Sequence, residues 1–270
     1  MPRWAKQLFI GCVYVVIFAL IGFGVYRLSN PAPTCTDGVK NQSEDGVDCG
    51  AQACGKLCVP EPLDLKVRSV KVFNTRPQEY DILAEIENPN DIYGATGIPY
   101  TLSLVNSSNG AIATRRGTFF IVPKQTRYLV VTALKTKEGV AQSVVVLGKV
   151  LWRQVDPSAP RIDFPLRREQ YAVQAGGGST LEGAVYNNSD FDFGTVDINV
   201  LLYNAQNEII GINHTETTTV PSRTERYFKV SWPFTISDTV VRTFVQATTD
   251  VFSNENFLKQ YGEFEQFQQF

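Results

Sequence analysis

The sequence predicts a mainly β protein with one N-terminal transmembrane helix, a small disulfide-linked module and two tandem β-sandwiches. Three observations predict it. Residues 8–26 carry no charge. Four of the five cysteines fall between Cys35 and Cys58. Beyond residue 60, short runs of alternating apolar and polar residues recur at an offset of 98 or 99.

The chain is read as a cytoplasmic tail (1–7), a signal anchor (8–28), a cysteine module (35–58), sandwich one (63–155), sandwich two (161–252) and an aromatic, Gln-rich tail (253–270). The anchor comes first. At about 1.5 Å per residue, LFIGCVYVVIFALIGFGVY spans roughly 28 Å, close to the hydrocarbon thickness of a bilayer. Trp4 and Tyr26 stand at its ends, where aromatic rings favour the interface. Arg3 and Lys6 precede it, and no acid occurs before Asp37. The positive-inside rule then keeps the N-terminus in the cytoplasm and places the rest outside the membrane. A cleaved signal peptide would have a shorter apolar region and a better small-residue site than the one SNPAPT offers around Ala32.

Cys35, Cys49, Cys54 and Cys58 come next, in a segment too poor in apolar residues to form a core. On the oxidising side of a membrane they make two disulfides, with three pairings open. A zinc site would lack the usual C-x2-C knuckle. Asp37, Asn41, Glu44 and Asp48 recur every three or four residues in a glycine-containing loop, an oxygen set suited to Ca²⁺, the one candidate cofactor. Turn capping by the same residues is the competing reading. The segment resembles a short repeat of extracytoplasmic proteins, C-x-D-G-x-x-N-x-x-E-x-x-x-D-C-G-G-x-C-x-x-C. Cys35, Asp37, Gly38, Asn41, Glu44, Asp48, Cys49, Gly50, Cys54 and Cys58 carry the match. Ala51 replaces its second glycine, and each of the last two gaps is one residue longer. That resemblance implies an exposed, disulfide-linked module with no chemistry to transfer.

The sandwiches are read from the repeat. Asn88 aligns with Asn187, Val122-Pro123 with Val220-Pro221, and Arg127-Tyr128 with Arg226-Tyr227. Tyr100, Leu102 and Leu104 alternate with polar residues, as do Ile198, Val200 and Leu202, so each sheet is expected to bury one face. DPSAP (156–160) is expected to be a short, stiff joint. Copy one, through Asn88-Pro89-Asn90, resembles the water-stress/hypersensitive-response domain of late-embryogenesis-abundant type proteins. Copy two, through Gly183, Val185, Asn187 and Leu201-Leu202-Tyr203, resembles the FxLYD-type bacterial domain. Both resemblances imply immunoglobulin-like β-sandwiches attached to membranes or walls, without an established catalytic constellation.

Composition excludes several functions. A net charge of −2 gives no global attraction to nucleic acid, and one His leaves no multi-His metal site. His214 is expected to face solvent, the glycines at 176–178 to form a turn, and Asn41, Asn106, Asn187 and Asn213 to matter as sequons only in a glycosylating host. Phe257, Tyr261, Phe264 and Phe267 form an aromatic stripe if helical. They are read as a candidate docking peptide for a partner, against packing on the second sandwich. The expected function is a non-enzymatic, membrane-anchored binding or structural protein of the cell envelope, serving adhesion, envelope organisation or assembly. Its expected partners are the membrane and a protein or cell-wall component, with self-association open. The alternative is a calcium- or wall-polymer-binding sensor subunit. An envelope enzyme using Asp190 and Asp192 ranks last.

Overall fold

The computed structural model describes residues 2–29, 35–40, 44–50, 52, 54–55, 58 and 60–262. Asn41, Phe264 and Phe267 lie outside the described residues. The chain divides into two compact units, Met1–Glu61 and Pro62–Phe270.

In the first unit, α1 (Arg3–Ser29) runs for 27 residues with none buried. Its most apolar window has a mean hydropathy of 2.7, so it is long and apolar enough to cross a membrane. At about 1.5 Å per residue it reaches about 40 Å. The surplus over the charge-free run carries Arg3, Lys6 and Arg27, whose long side chains can extend toward headgroups.

The second unit holds two sandwiches of the same strand order. In the first, β1 (Lys66–Arg76), β2 (Glu79–Glu87) and β5 (Thr126–Lys135) form one antiparallel sheet with β2 central. The facing sheet centres on β3 (Tyr93–Val105), flanked by β4 (Ala111–Ile121) and β6 (Gln142–Leu147). The short β7 (Trp152–Gln154) pairs the start of β3 on the same side as β6. In the second sandwich, β8 (Leu166–Val173), β9 (Ser179–Tyr186) and β12 (Glu225–Trp232) face β11 (Ile209–Val220), β10 (Phe193–Tyr203) and β13 (Arg242–Thr248). Alternation sets the cores: Ile82, Ile98, Leu102 and Leu104 in one, Leu181, Ile198, Val200 and Leu202 in the other. Trp232 is fully buried in the second and donates its indole N–H to the Ile212 carbonyl at 2.9 Å.

Polar residues repeat as faithfully as apolar ones. Asn88 and Asn187 are buried at strand ends, and each amide nitrogen donates both to a carbonyl four or five residues on and to a carbonyl 33 or 34 residues on. Asn88 Nδ2 reaches Tyr93 O (2.7 Å) and Val122 O (2.9 Å). Asn187 Nδ2 reaches Phe191 O (2.7 Å), Val220 O and Pro221 O (both 3.1 Å). The β3–β4 and β10–β11 turns also match: Asn106 and Asn204 each accept two backbone N–H bonds, and Asn109 and Asn207 both sit at φ 60°. Asn tolerates this left-handed conformation better than most residues.

The expectation of one buried face per sheet fails for two sheets. Leu83 on β2 and Leu201 on β10 point away from their own cores, yet are 1% and 0% exposed. They meet across the junction with Val130 and Ile212, edged by Tyr128, Tyr203 and Phe244. The outer face of β1-β2-β5 therefore packs on the outer face of β11-β10-β13. Nor is residues 156–160 merely a joint. Asp156 N–H donates to Tyr261 O (2.9 Å), and Ala159 packs against the second core.

Replacing Asn187 by Ala removes the donor from three carbonyls. The expected cost is about 1–3 kcal/mol of stability, measured by urea unfolding followed through Trp fluorescence. A cost below about 0.5 kcal/mol, the size of an ordinary surface change, would show that the loop carbonyls do not depend on this side chain.

Candidate functional site

Within the cysteine module, Cys35 pairs with Cys54 and Cys49 with Cys58, at Cα separations of 5.6 and 5.0 Å. All four module sulfurs are thus committed to disulfides, which excludes a four-cysteine zinc site. The second pair leaves no room beside Gly46, where a Cβ would lie 2.7 Å from Cys49 Sγ and 2.9 Å from Cys58 Sγ.

The carboxylates of the proposed calcium set are engaged with the protein itself. Asp48 accepts from the backbone N–H groups of Asp37 (3.0 Å) and Gly38 (2.9 Å). Asp37 Oδ1 accepts from Val39 N–H at 2.9 Å. These are the turn-capping roles that competed with ion binding in the sequence. Glu44 is buried beside the Cys35 and Cys54 sulfurs. Disulfide sulfurs are not thiolates, so this trio is not a metal-ligand set.

The other concentration of polar groups is the sandwich junction. Arg127, at the start of β5, is 5% exposed. Its Nη2 donates to Asp197 on β10 (2.6 Å) and its Nη1 to Thr248 on β13 (2.7 Å). The guanidinium lies 3.9 Å from the Phe120 ring centroid, while Nε has no partner. Burial opposes the Arg127 charge, and Asp197 counteracts it. Side chains also bond backbone across the seam: Gln246 to Tyr128 N–H (3.0 Å) and Thr126 O (2.8 Å), and Asn199 to Tyr128 O (2.9 Å). Beside this network opens a cleft of about 460 Å³ lined by Arg127, Asp197, His214, Glu216 and Asp250 among others. Asp250 accepts from Thr96 Oγ1 and from Phe252 N–H, the first turn of the 3-10 segment Val251–Ser253. Burial raises its carboxyl above the ordinary 3.8, against the lowering effect of those bonds and of Arg127.

The aromatic stripe is partly consumed by the fold. Asn254 caps the short helix α2 (Glu255–Tyr261) through the Phe257 N–H. Phe257 is 2% exposed and packs edge-on against Phe191, 5.4 Å between centroids, with Tyr261 beside both. Docking of Phe257 to a partner is therefore corrected: it belongs to the second core, where its ring is already desolvated. The remaining candidates are dispersed. Asp190 pairs with Arg223, Asp192 accepts from Ser222 N–H, and His214 lies exposed within β11. Glycines 176–178 close the β8–β9 turn, with Gly177 at φ 88°.

Sequence reading missed the junction, although the repeat marks it. At an offset of 99, Leu83 and Val130 correspond to Glu182 and Lys229, which are ion-paired in the second sandwich. At an offset of 98, Leu201 and Ile212 correspond to Ser103 and Thr114 in the first. The copies differ in polarity at the positions that dock.

No protein-family model and no curated sequence matches the chain. Among solved structures, red sea bream transglutaminase is 11% identical, with 74% of this chain and 30% of that chain covered, at a TM-score of 0.22. An exo-beta-D-glucosaminidase, CsxA, is 10% identical over 67% of this chain and 26% of that chain, with a TM-score of 0.21. The calcium-binding domain CBD12 of CALX1.1 is 14% identical, covers 62% of this chain and 72% of its own, and gives 0.19. The chain thus spans less than a third of the first two. Likeness at these scores assigns neither activity nor ligand.

Two measurements probe the junction. Leu83→Glu with Val130→Lys installs the pair that the second sandwich carries, and should uncouple the sandwiches. Unfolding followed at Trp152 and at Trp232 should then separate into two transitions; one shared transition at the original midpoint would refute the docking. The second concerns pH. A raised Asp250 pKa means that the folded state holds this proton more tightly than the unfolded chain. Asp250 therefore contributes most below about 3.8, and that contribution is lost as pH rises through its folded pKa. Asp250→Asn should gain stability relative to the parent between about pH 4 and pH 7. A pH-independent difference between the two proteins would exclude this linkage.

Proposed function

We propose that this chain is a single-pass, membrane-anchored protein that displays a cysteine module and two sandwiches outside the cytoplasm. It acts as a non-enzymatic binding or structural component of the cell envelope, in adhesion, envelope organisation or subunit assembly. The observation that carries the reading is the conjunction of the unburied apolar helix α1 with two disulfides in the residues after it. Disulfides persist in oxidising compartments, so the module favours the outer side, as do Arg3 and Lys6 before the helix. The junction supports display rather than turnover. It spends its buried polar groups on holding two sandwiches together, which suits a rigid spacer carrying recognition surfaces.

The test is topological. In intact cells a membrane-impermeant maleimide should label the module cysteines only after treatment with an impermeant reductant. Labelling that appears only once the membrane is permeabilised would place the module inside and overturn the reading. Residues 59–270 contain no cysteine, so reduction should leave unfolding of the sandwiches unchanged. Crosslinking in native membranes should then recover a stable envelope partner. Recovery of the chain alone would count against an assembly role.

A further inference from the structure

We propose that the outer face of β4-β3-β6 rests on the headgroups of an anionic bilayer, the one that α1 anchors the chain to. The first sandwich commits the outer face of β1-β2-β5 to the junction, so β4-β3-β6 is its free side. Leu102 and Leu104 turn into the core, and the two-residue period of a strand turns Thr101 and Ser103 outward. Cross-strand register extends this face. Val146 and Arg116 flank Thr101, while Val144 and Thr114 flank Ser103. Val144 and Val146 are 41% and 60% exposed. Just beyond β6, Val150 packs on the core, and its neighbours Lys149 and Leu151 are exposed.

Charge names the occupant. Residues 62–155 carry twelve Lys and Arg against seven Asp and Glu. None of those seven acids lies in β3, β4, β6 or β7. Among the described residues no salt bridge engages Arg115, Arg116 or Lys149, so their charges are unspent. Residues 156–262 reverse the balance, with eight Lys and Arg against thirteen Asp and Glu. An anionic surface therefore attracts the first sandwich and repels the second, which orients the pair. Each Lys or Arg held near such a surface favours the contact by roughly fivefold.

The exposed apolar side chains decide between anionic partners. A soluble polyanion offers phosphates or sulfates but nothing for Val144, Val146 and Leu151. The headgroup layer accepts both kinds of group, with phosphates for Arg116 and the acyl boundary for the apolar side chains. It is also hydrated, so the hydroxyls of Thr101, Ser103 and Thr114 keep polar partners there, as they would not against an apolar protein face. A face carried on an anchored chain meets the bilayer at high effective concentration, and weak contacts then suffice. This placement rests on the reading of α1 as the anchor, and the experiment separates the two.

The full chain with Cys12→Ser is reconstituted into nanodiscs of phosphatidylcholine, alone or with about one third phosphatidylglycerol, containing headgroup spin-labelled lipid as quencher. A fluorophore is attached at Thr101→Cys or, as control, at Tyr227→Cys on the exposed face of the second sandwich. A chain that leaves the discs during gel filtration refutes the anchor, and the contact falls with it. With the chain retained, quenching at 101 in anionic discs should be at least about threefold that in neutral discs, and threefold that at 227. Arg115→Glu with Arg116→Glu should bring it to the neutral level, whereas Arg115→Lys with Arg116→Lys should preserve it. Equal quenching at the two positions, or quenching blind to headgroup charge or to the charge reversal, overturns the contact and leaves the anchor standing. Release of the face by soluble polyphosphate at the same phosphate concentration would also overturn it, by assigning the face to a polyanion. Unchanged unfolding midpoints confirm that the fold is retained in each variant.

Discussion

The arrangement of residues 62–262 depends on four apolar side chains, Leu83, Val130, Leu201 and Ile212, on sheet faces that a lone sandwich would present to water. Full burial of such side chains contributes about 1.5–3 kcal/mol each by transfer, and somewhat less once the compactness of the unfolded chain is counted. Four together are of the order of the entire net stability of an ordinary domain, about 5–15 kcal/mol. The sandwiches are therefore not beads on a linker. The outer faces of β2 and β10 are core, and a change there acts on both halves at once. Residues 155–165 connect two bodies already held by their faces, which is why this stretch can line a cleft of about 780 Å³ instead of bearing the load of orientation.

Most of the strand architecture was legible from alternation and repetition, because both report local geometry. Tyr100, Leu102 and Leu104 line one face for the same reason as Ile198, Val200 and Leu202, and the offset aligned Asn88 with Asn187 before either had a role. Their role depends on loops far apart in sequence meeting at one amide, which no local pattern encodes. The junction was different, since its signal was present and passed over. Ile82-Leu83-Ala84 and Val200-Leu201-Leu202 are unbroken apolar runs, the mark of strands buried on both sides. Likeness between copies revealed the fold, whereas the docking surfaces lay where the copies differ. The cysteines were legible as a disulfide pair of pairs but not as a pairing, because spacing leaves the choice to the folded loop. Phe257 was legible as one ring of a stripe. Only the position of Phe191 makes it core.

Arg127 shows one repeat position put to two uses. Its counterpart Arg226 is half-buried and donates to the Thr219 and Glu225 carbonyls, an ordinary arrangement for an exposed sheet. Arg127 is instead held between Asp197, Thr248 and the Phe120 ring. Burying an ion pair returns little net stability, since desolvation offsets most of the attraction. What it supplies is register. Two apolar faces can slide over one another with small change in buried area. A slide that parts Arg127 from Asp197 leaves a charge buried without its partner, at a cost of several kcal/mol. The apolar quartet makes the faces adhere, and the guanidinium decides where.

The same logic applies to the two outward faces. Repetition of one sandwich leaves two faces of the kinds that dock, β8-β9-β12 on one and β3-β4-β6 on the other. Were they as apolar as their counterparts, each molecule would offer a matching surface to the next, and head-to-tail contacts of that kind propagate without closing. The first face instead carries Glu182 ion-paired to Lys229, with Tyr227 61% exposed and donating to Glu182. The second carries Ser103 and Thr114 joined hydroxyl to hydroxyl at 3.1 Å, beside exposed Arg116. Docking either face would strip water from groups already satisfied by one another and by solvent. On the second face only Val144 and Val146, opposite Ser103 and Thr101, are large exposed apolar side chains that would offset part of that loss. The polar substitutions distinguish these outward faces from the two that dock, as polar outer faces distinguish the ends of repeat arrays.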